Sequence, residues 1–386
     1  MWNPIPTSEV KNLVTDSGMM QPNMYRENLQ RNAIFYSDQF VKKSKAEKIW
    51  KSAQINFDIH SASKSTIAAD ENNIYVGSDA SWFYCYDKLT GQLIWKFYLT
   101  DASRGIHSTA IVDRDAVYVG SYRGTVYKLN KLTGQLMWAR IIGHTIGASP
   151  FIDGETILFN VETSEPDGYL IKLNILTGET IWQSEKLGEQ SHSSPALSVD
   201  KKMVVIGANN STIQGFNFST GEKKWSTSVI GPIKSTIWID ENVGYVSTWG
   251  KQLIKFNIEN GNIIWSEKLN LKSQVSPALS KKYGIVMIAD QGGVMYGFDQ
   301  KLGRSVWKNV QSVDSQISSP VVIKNKNDEL FLFNCKLYKM CLLHPKTGQI
   351  INEFDIDGRF TGSPVVNNNM MYLSMNNGSV LSYKVK

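Results

Sequence analysis

The chain has 386 residues, 42% hydrophobic and 20% charged, which is the balance of an ordinary folded protein; the length exceeds one simple globular unit, so internal repeats are sought first. A net charge of +6 with no run of five like charges excludes a clustered nucleic-acid footprint. No stretch of 18 apolar residues exists, which excludes a membrane-spanning helix.

Residues 1–45 differ from the rest, with Pro4, Pro6 and Pro22 and no repeat. They read as an N-terminal extension that is partly helical or disordered, because Tyr25, Leu29, Ile34, Phe35, Phe40 and Val41 fall at loosely helical spacing. The opening MWNPIPTSEVKNLVTDSG carries neither a basic head nor an apolar run. With no signal peptide and no lipid-attachment motif in view, a cytoplasmic location is expected.

From residue 46 the pattern changes. An orphan strand, AEKIWKSAQI with Trp50, precedes YDKLTGQLIW, LNKLTGQLMW, LNILTGETIW, FNFSTGEKKW, FNIENGNIIW, FDQKLGRSVW and LHPKTGQIIN. Their glycines, Gly91, Gly134, Gly178, Gly221, Gly261, Gly303 and Gly348, are spaced by 43, 44, 43, 40, 42 and 45 residues. A second marker, a serine opening an apolar run, recurs at Ser65, Ser108, Ser149, Ser194, Ser235, Ser276, Ser319 and Ser363. Eight serines against seven glycines leave a last repeat lacking its outer strand and a first strand lacking a repeat. The two fragments complete each other if the ring closes on itself, which removes the unpaired edge of a circular array. Residues 46–386 are therefore expected to form an all-β, eight-bladed propeller of four-stranded antiparallel blades, closed by the N-terminal strand pairing with the C-terminal blade.

Each unit reads as four short strands; in the second these are STAIVD, AVYVGS, TVYKLN and LMWARI, rich in β-branched and aromatic residues. The Thr-Gly turn needs a positive φ at its glycine. Trp95, Trp138, Trp182, Trp225, Trp265 and Trp307 stand four residues beyond the glycines, where flat rings are expected to bury between blades and supply apolar area that a thin sheet lacks.

The spacing Asp/Asn-x-x-x-Gly-x-x-x-Trp resembles the tryptophan-docking motif of pyrroloquinoline-quinone (PQQ)-type repeat propellers, and the chain is most similar to the short, BamB-like members of that family. Two departures stand out. The alanine usual in the family two places before the Asp/Asn is Cys85, Lys128, Lys172, Gly215, Lys255, Gly297 and Leu342, and Asn352 replaces the seventh tryptophan, so looser docking is expected there. The resemblance to quinone-dependent alcohol dehydrogenases implies a cofactor beneath a ring of two adjacent cysteines, with calcium held by Glu, Asn and Asp. No Cys-Cys dipeptide occurs, so PQQ is not expected. Cys85, Cys335 and Cys341 are read as reduced core thiols, the alternative being one Cys335–Cys341 pair within a hairpin.

Function is expected at the channel mouth, where loops from each outer strand into the next blade gather. His60, His107, His144 and His192 fall in the first four of these loops, a candidate arc for a divalent metal; His107 and His192 are the candidate catalytic residues. Lys64, Arg104, Lys234 and Arg359 share the loops with Asp58, Asp101, Glu189, Asp314 and Asp357, so the mouth reads as mixed in sign. Trp82, Tyr122 and Trp249 in neighbouring turns are candidate aromatic anchors. No Gly-rich phosphate loop, nucleophile elbow or His-Glu-x-x-His helix is present. The expected function is a monomeric, non-catalytic scaffold binding a protein, peptide or small molecule at the mouth, without cofactor, nucleic acid or membrane span. The alternatives are an enzyme with a His-lined, metal-dependent site and, behind it, a PQQ-dependent oxidoreductase.

Overall fold

Short runs of β-branched and aromatic residues, cut by glycine turns, pair with their sequence neighbours into eight sheets arranged as propeller blades in a computed structural model. It describes residues 23–57, 65–101, 104–310, 318–336, 338–360 and 362–386. Seven sheets have four strands and the seventh blade has five. In the second blade Ile111–Asp113, Ala116–Gly120, Thr125–Asn130 and Leu136–Ile141 run antiparallel from the channel outward. The expected closure is present: Ala46–Lys51 is the outer strand of the eighth blade, with Ala46 opposite Val385 and Lys51 opposite Leu381.

Neighbouring blades are locked by the tryptophans. Trp95 Nε1 donates to the Lys131 carbonyl of the next blade (3.0 Å), Trp182 to Phe218 (3.1 Å) and Trp225 to Ile258 (2.9 Å). Each ring covers a turn glycine: a Cβ on Gly134 would stand 2.6 Å from the Trp95 ring, and one on Gly91 2.5 Å from Trp50. The lysines that replace the family alanine reinforce the lock. Lys128 and Trp138 both donate to the Ile175 carbonyl, Lys172 and Trp182 to that of Phe218, and Lys255 and Trp265 to that of Gln300. Burial lowers the pKa of all three lysines, which nonetheless gain a carbonyl and a nearby aromatic ring.

At Asn352 the lock differs in kind rather than tightness. The eighth blade has no turn between its last two strands, because the chain's two ends meet there, and so offers no glycine for an indole to cover. The Asn352 amide instead donates to the carbonyl and hydroxyl of Ser44 at 2.8 and 3.0 Å, holding the approach to the closing strand.

The marker serines have their own structural task. Thr109 N–H donates to Ser149 Oγ, Ser149 N–H to Ser194 Oγ, Thr236 N–H to Ser276 Oγ and Ser276 N–H to Ser319 Oγ, at 2.9–3.0 Å, so hydroxyls pass hydrogen bonds from blade to blade around the channel.

Two expectations are corrected. Residues 23–45 contain no helix; they cross the channel. Asn23 bridges Val112, the Leu29 and Gln30 carbonyls accept from Leu197 and Ile239 N–H, and Ile34–Tyr36 adds in parallel to Val321–Lys324. The cause is backbone pairing with inner strands, together with positive φ at Arg26, Glu27, Arg31 and Ala33, which a helix cannot contain. Arg31, fully buried, donates to the carbonyls of Tyr25, Ser149, Pro150 and Pro195; buried Arg26 donates to those of Arg31, Pro277 and Pro320. Second, Cys335 and Cys341 form a disulfide and only Cys85 is a free, buried thiol. A register shift between Asn334 and Lys336 leaves Cys335 as the extra residue of its hairpin, with its Cα 5.6 Å from that of Cys341.

Candidate functional site at the channel mouth

The mouth is built by one repeated device. The first residue of a turn between second and third strands donates its N–H to the preceding interblade loop: Tyr122 to Gly105, Asn209 to Gln190, Trp249 to Pro232, Gln291 to Lys272 and Asn376 to Arg359. Turns and loops are thereby fixed into one face, and side chains at the turn positions stand around the opening.

Tyr122 stacks on His107, ring centroids 3.9 Å apart, while the His107 ring Nε2 lies 3.0 Å from the Arg104 carbonyl. His144 lies beside the Thr145 hydroxyl at 3.3 Å. His192 Nδ1 comes within 3.1 Å of Oε1 of Glu162, a buried carboxylate whose Oε1 has no other close partner among the described residues. Gly147 provides the space between these groups: a Cβ there would lie 3.5 Å from Glu162, 3.7 Å from Tyr122 and 3.9 Å from His192. The three described histidines of the candidate arc thus have three different neighbours. Among the described residues no three His, Cys, Asp or Glu side chains come together as a metal set. His60 and Lys64 lie outside the described residues.

On the opposite arc Trp249 is flanked by two ammonium groups, Lys234 Nζ 3.9 Å and Lys272 Nζ 4.2 Å from its ring centroid. Burial, then the neighbouring Lys272 charge, lowers the Lys234 pKa. Trp82 is elsewhere: it packs on its own hairpin against Tyr98, ring centroids 5.0 Å apart, beneath Lys96. Arg359 lends its carbonyl to the eighth blade's turn.

The described acidic residues expected in the loops are held by bonds within the fold. Asp101 is taken up by the Thr125 and Tyr127 hydroxyls, Asp357 by Lys48, and Glu189 by the Gln190 N–H. Asp58 and Asp314 lie outside the described residues. Sequence reasoning missed Glu162 and Lys272. Glu162 had a signal: it stands where other repeats carry Ser78, Ser121, Ala208 or Thr248. Lys272 had none beyond its place in a loop.

The cysteines do not fit a quinone site of the adjacent-pair kind, since two are bonded to each other within a seventh-blade hairpin and the third is buried in the first blade. The channel itself is crossed by residues 23–36.

A family model described as "Beta-alanine-activating enzyme, beta-propeller" matches residues 59–385. The outer membrane protein assembly factor BamB of Legionella pneumophila is 21% identical over 200 residues, covering 49% of this chain and 50% of that protein; the chain thus matches about half the length of this curated relative. Among solved structures, BamB from Moraxella catarrhalis superposes with a TM-score of 0.70 at 19% identity, over 88% of this chain and 99% of that one. Quinohemoprotein alcohol dehydrogenase from Comamonas testosteroni gives 0.73 at 12% identity, over 94% and 80%. Such identities carry the fold alone, and they agree with the PQQ-type, BamB-like resemblance of the repeats. The expected cytoplasmic location is overturned: four curated relatives are named outer membrane protein assembly factors.

Proposed function

The chain belongs to the family described as the beta-propeller of the beta-alanine-activating enzyme, and from that premise we propose that it is a non-catalytic scaffold that binds a partner protein at its channel mouth. The observation that carries this reading is the arm at residues 23–36: the chain's own backbone occupies the inner-strand edges of the channel, so the concave surface left to a partner is the rim of loops and turns. The names of the assembly-factor relatives favour a protein partner in the cell envelope. The rim supplies what such a partner needs, namely aromatic rings held on a rigid scaffold. The scaffold works as a monomer and needs no cofactor for this task.

The test is site-specific photo-crosslinking in cells, with the probe at Tyr122 or Asn209 on the mouth and at Lys201 on the opposite face. A protein captured only from the mouth supports the reading; capture only from Lys201, or none, overturns it.

One observation favours a second reading. The approach of His192 to buried Glu162 suits acid–base chemistry, with or without a divalent metal at the rim. Retention of a measured activity by His192→Gln would remove that reading.

A further inference from the structure

Resting on mouth binding, we propose that Trp249, Lys234 and Lys272 form a clamp for an acidic segment of the partner protein, whose carboxylates lie between the two ammonium groups across the indole. Two like charges held against one ring repel each other; neither forms an ion pair among the described residues, and the attraction of the Glu162 carboxylate for Lys234 is weaker than the repulsion from Lys272. The backbone that carries Trp249 and Lys272 is nonetheless fixed by bonds that do not depend on charge. The Trp249 N–H is anchored on Pro232, Ser273 N–H donates to the Thr248 carbonyl, and Gln291 N–H donates to that of Lys272. An arrangement that the fold maintains against its own repulsion is completed by an anion.

Around the clamp stand two carboxylates, Glu162, buried beside His192, and Asp290, both already engaged by the fold. The nearest acidic group in the adjoining turn, Asp290, is consumed by the N–H groups of Leu271, Gly292 and Val294 and by the Tyr296 hydroxyl. Beneath the rim, Arg26 and Arg31 add two buried positive charges whose bonding partners are neutral carbonyls. The Trp249 indole N–H and the Thr248 hydroxyl are buried without an acceptor; a carboxylate oxygen would satisfy such a donor. Ammonium groups act as point charges, and Arg31 spends its fork on backbone carbonyls, so the charges offered at the rim are the two lysines, each able to meet one carboxylate. The clamp thus fits carboxylates presented along a peptide.

The probe is a fluorescein-labelled Glu-rich peptide, with its Gln-substituted counterpart as control, read by anisotropy against the full chain. The Glu peptide is expected to bind with an affinity that falls as salt rises, and the Gln peptide is not. Lys234→Gln and Lys272→Gln should each weaken binding about fivefold, and more when combined. Lys234→Arg should retain it, which separates charge loss from misfolding. Equal binding by wild type and the double variant overturns the clamp, as does an equal effect of Lys201→Gln on the far face. Preferential binding of polyphosphate or of phosphatidylglycerol vesicles overturns the acidic-peptide assignment. If mouth crosslinking survives in the double variant, the clamp falls and the scaffold reading stands; if crosslinking is absent in wild type, the scaffold reading itself falls.

Discussion

Trp95 of the first blade lies so close over Gly134 of the second that a Cβ on the glycine would stand 2.6 Å from the indole. The glycine therefore answers two demands at once, a φ of +70° and an empty face. Gly154 separates them: it has a φ of +58° and nothing within 4 Å of a Cβ. Gly154→Ala should cost about 1 kcal/mol, the strain of the left-handed backbone alone. Gly134→Ala should cost about 3 kcal/mol or more, because overpacking against the ring adds to it. Urea unfolding of the two variants checks the difference; equal costs would mean that the ring gives way freely.

Arg31 ties the channel arm to two blades through the Ser149, Pro150 and Pro195 carbonyls. Arg31→Met should destabilise the protein by about 3–5 kcal/mol, since buried acceptors lose their donor. Arg31→Lys should recover little of this, as one ammonium cannot reproduce the fork. The local readout is hydrogen exchange at the Leu197 and Ile239 amides, which donate to the arm. Unchanged protection there would show that the arm is held without Arg31.

Glu27, on the same arm, has its carboxyl pushed up to about 7 by burial, with the Lys88 charge opposing. The folded chain then holds a proton that the unfolded chain releases near pH 4.5. Stability from this group is full below that value and declines as pH rises towards 7, where the buried carboxyl ionises. Glu27→Gln should flatten this slope and leave the variant more stable at pH 8 by on the order of 2 kcal/mol, reduced from the full linkage value because the side chain is partly exposed. Thermal melts at pH 5 and 8 measure it, and a variant with the parent slope would assign the titration elsewhere.

The Cys335–Cys341 bond closes a loop with a sequence separation of 6. Thiol titration of the denatured, unreduced protein should find one reactive cysteine, Cys85, and three after reduction. Cys341→Ser should lower stability by about 2 kcal/mol, as expected for so short a loop. Three thiols before reduction would contradict the pairing.

The repeat made the fold legible, because Gly91 to Gly348 and Trp50 to Trp307 answer to one another across seven of the eight blade boundaries. The arm was not legible in the same way. Its apolar residues follow the contours of several inner strands, so their spacing has no period of its own, and helix was the nearest pattern. Asn352 shows a subtler limit. The missing tryptophan was visible, but its cause, the absence of a turn where the two chain ends meet, emerges only when the ring closes. At the mouth, residue type located Tyr122, His107, His192, Lys234 and Trp249, whereas their pairing depends on which loop bonds which turn. The packing of Trp82 on its own hairpin was not legible either, because it follows from its register opposite Tyr98.

The pairing of Ala46 with Val385 also sets an order of events during synthesis. The strand around Trp50 is made long before its partner, so the closing edge stands open until more than 300 residues have followed it. Sequence-distant pairing of this kind slows folding and exposes edges to wrong partners. Loss of the short segment Val380–Val385 would therefore strip Ala46–Lys51 of its partner as well as opening the eighth blade.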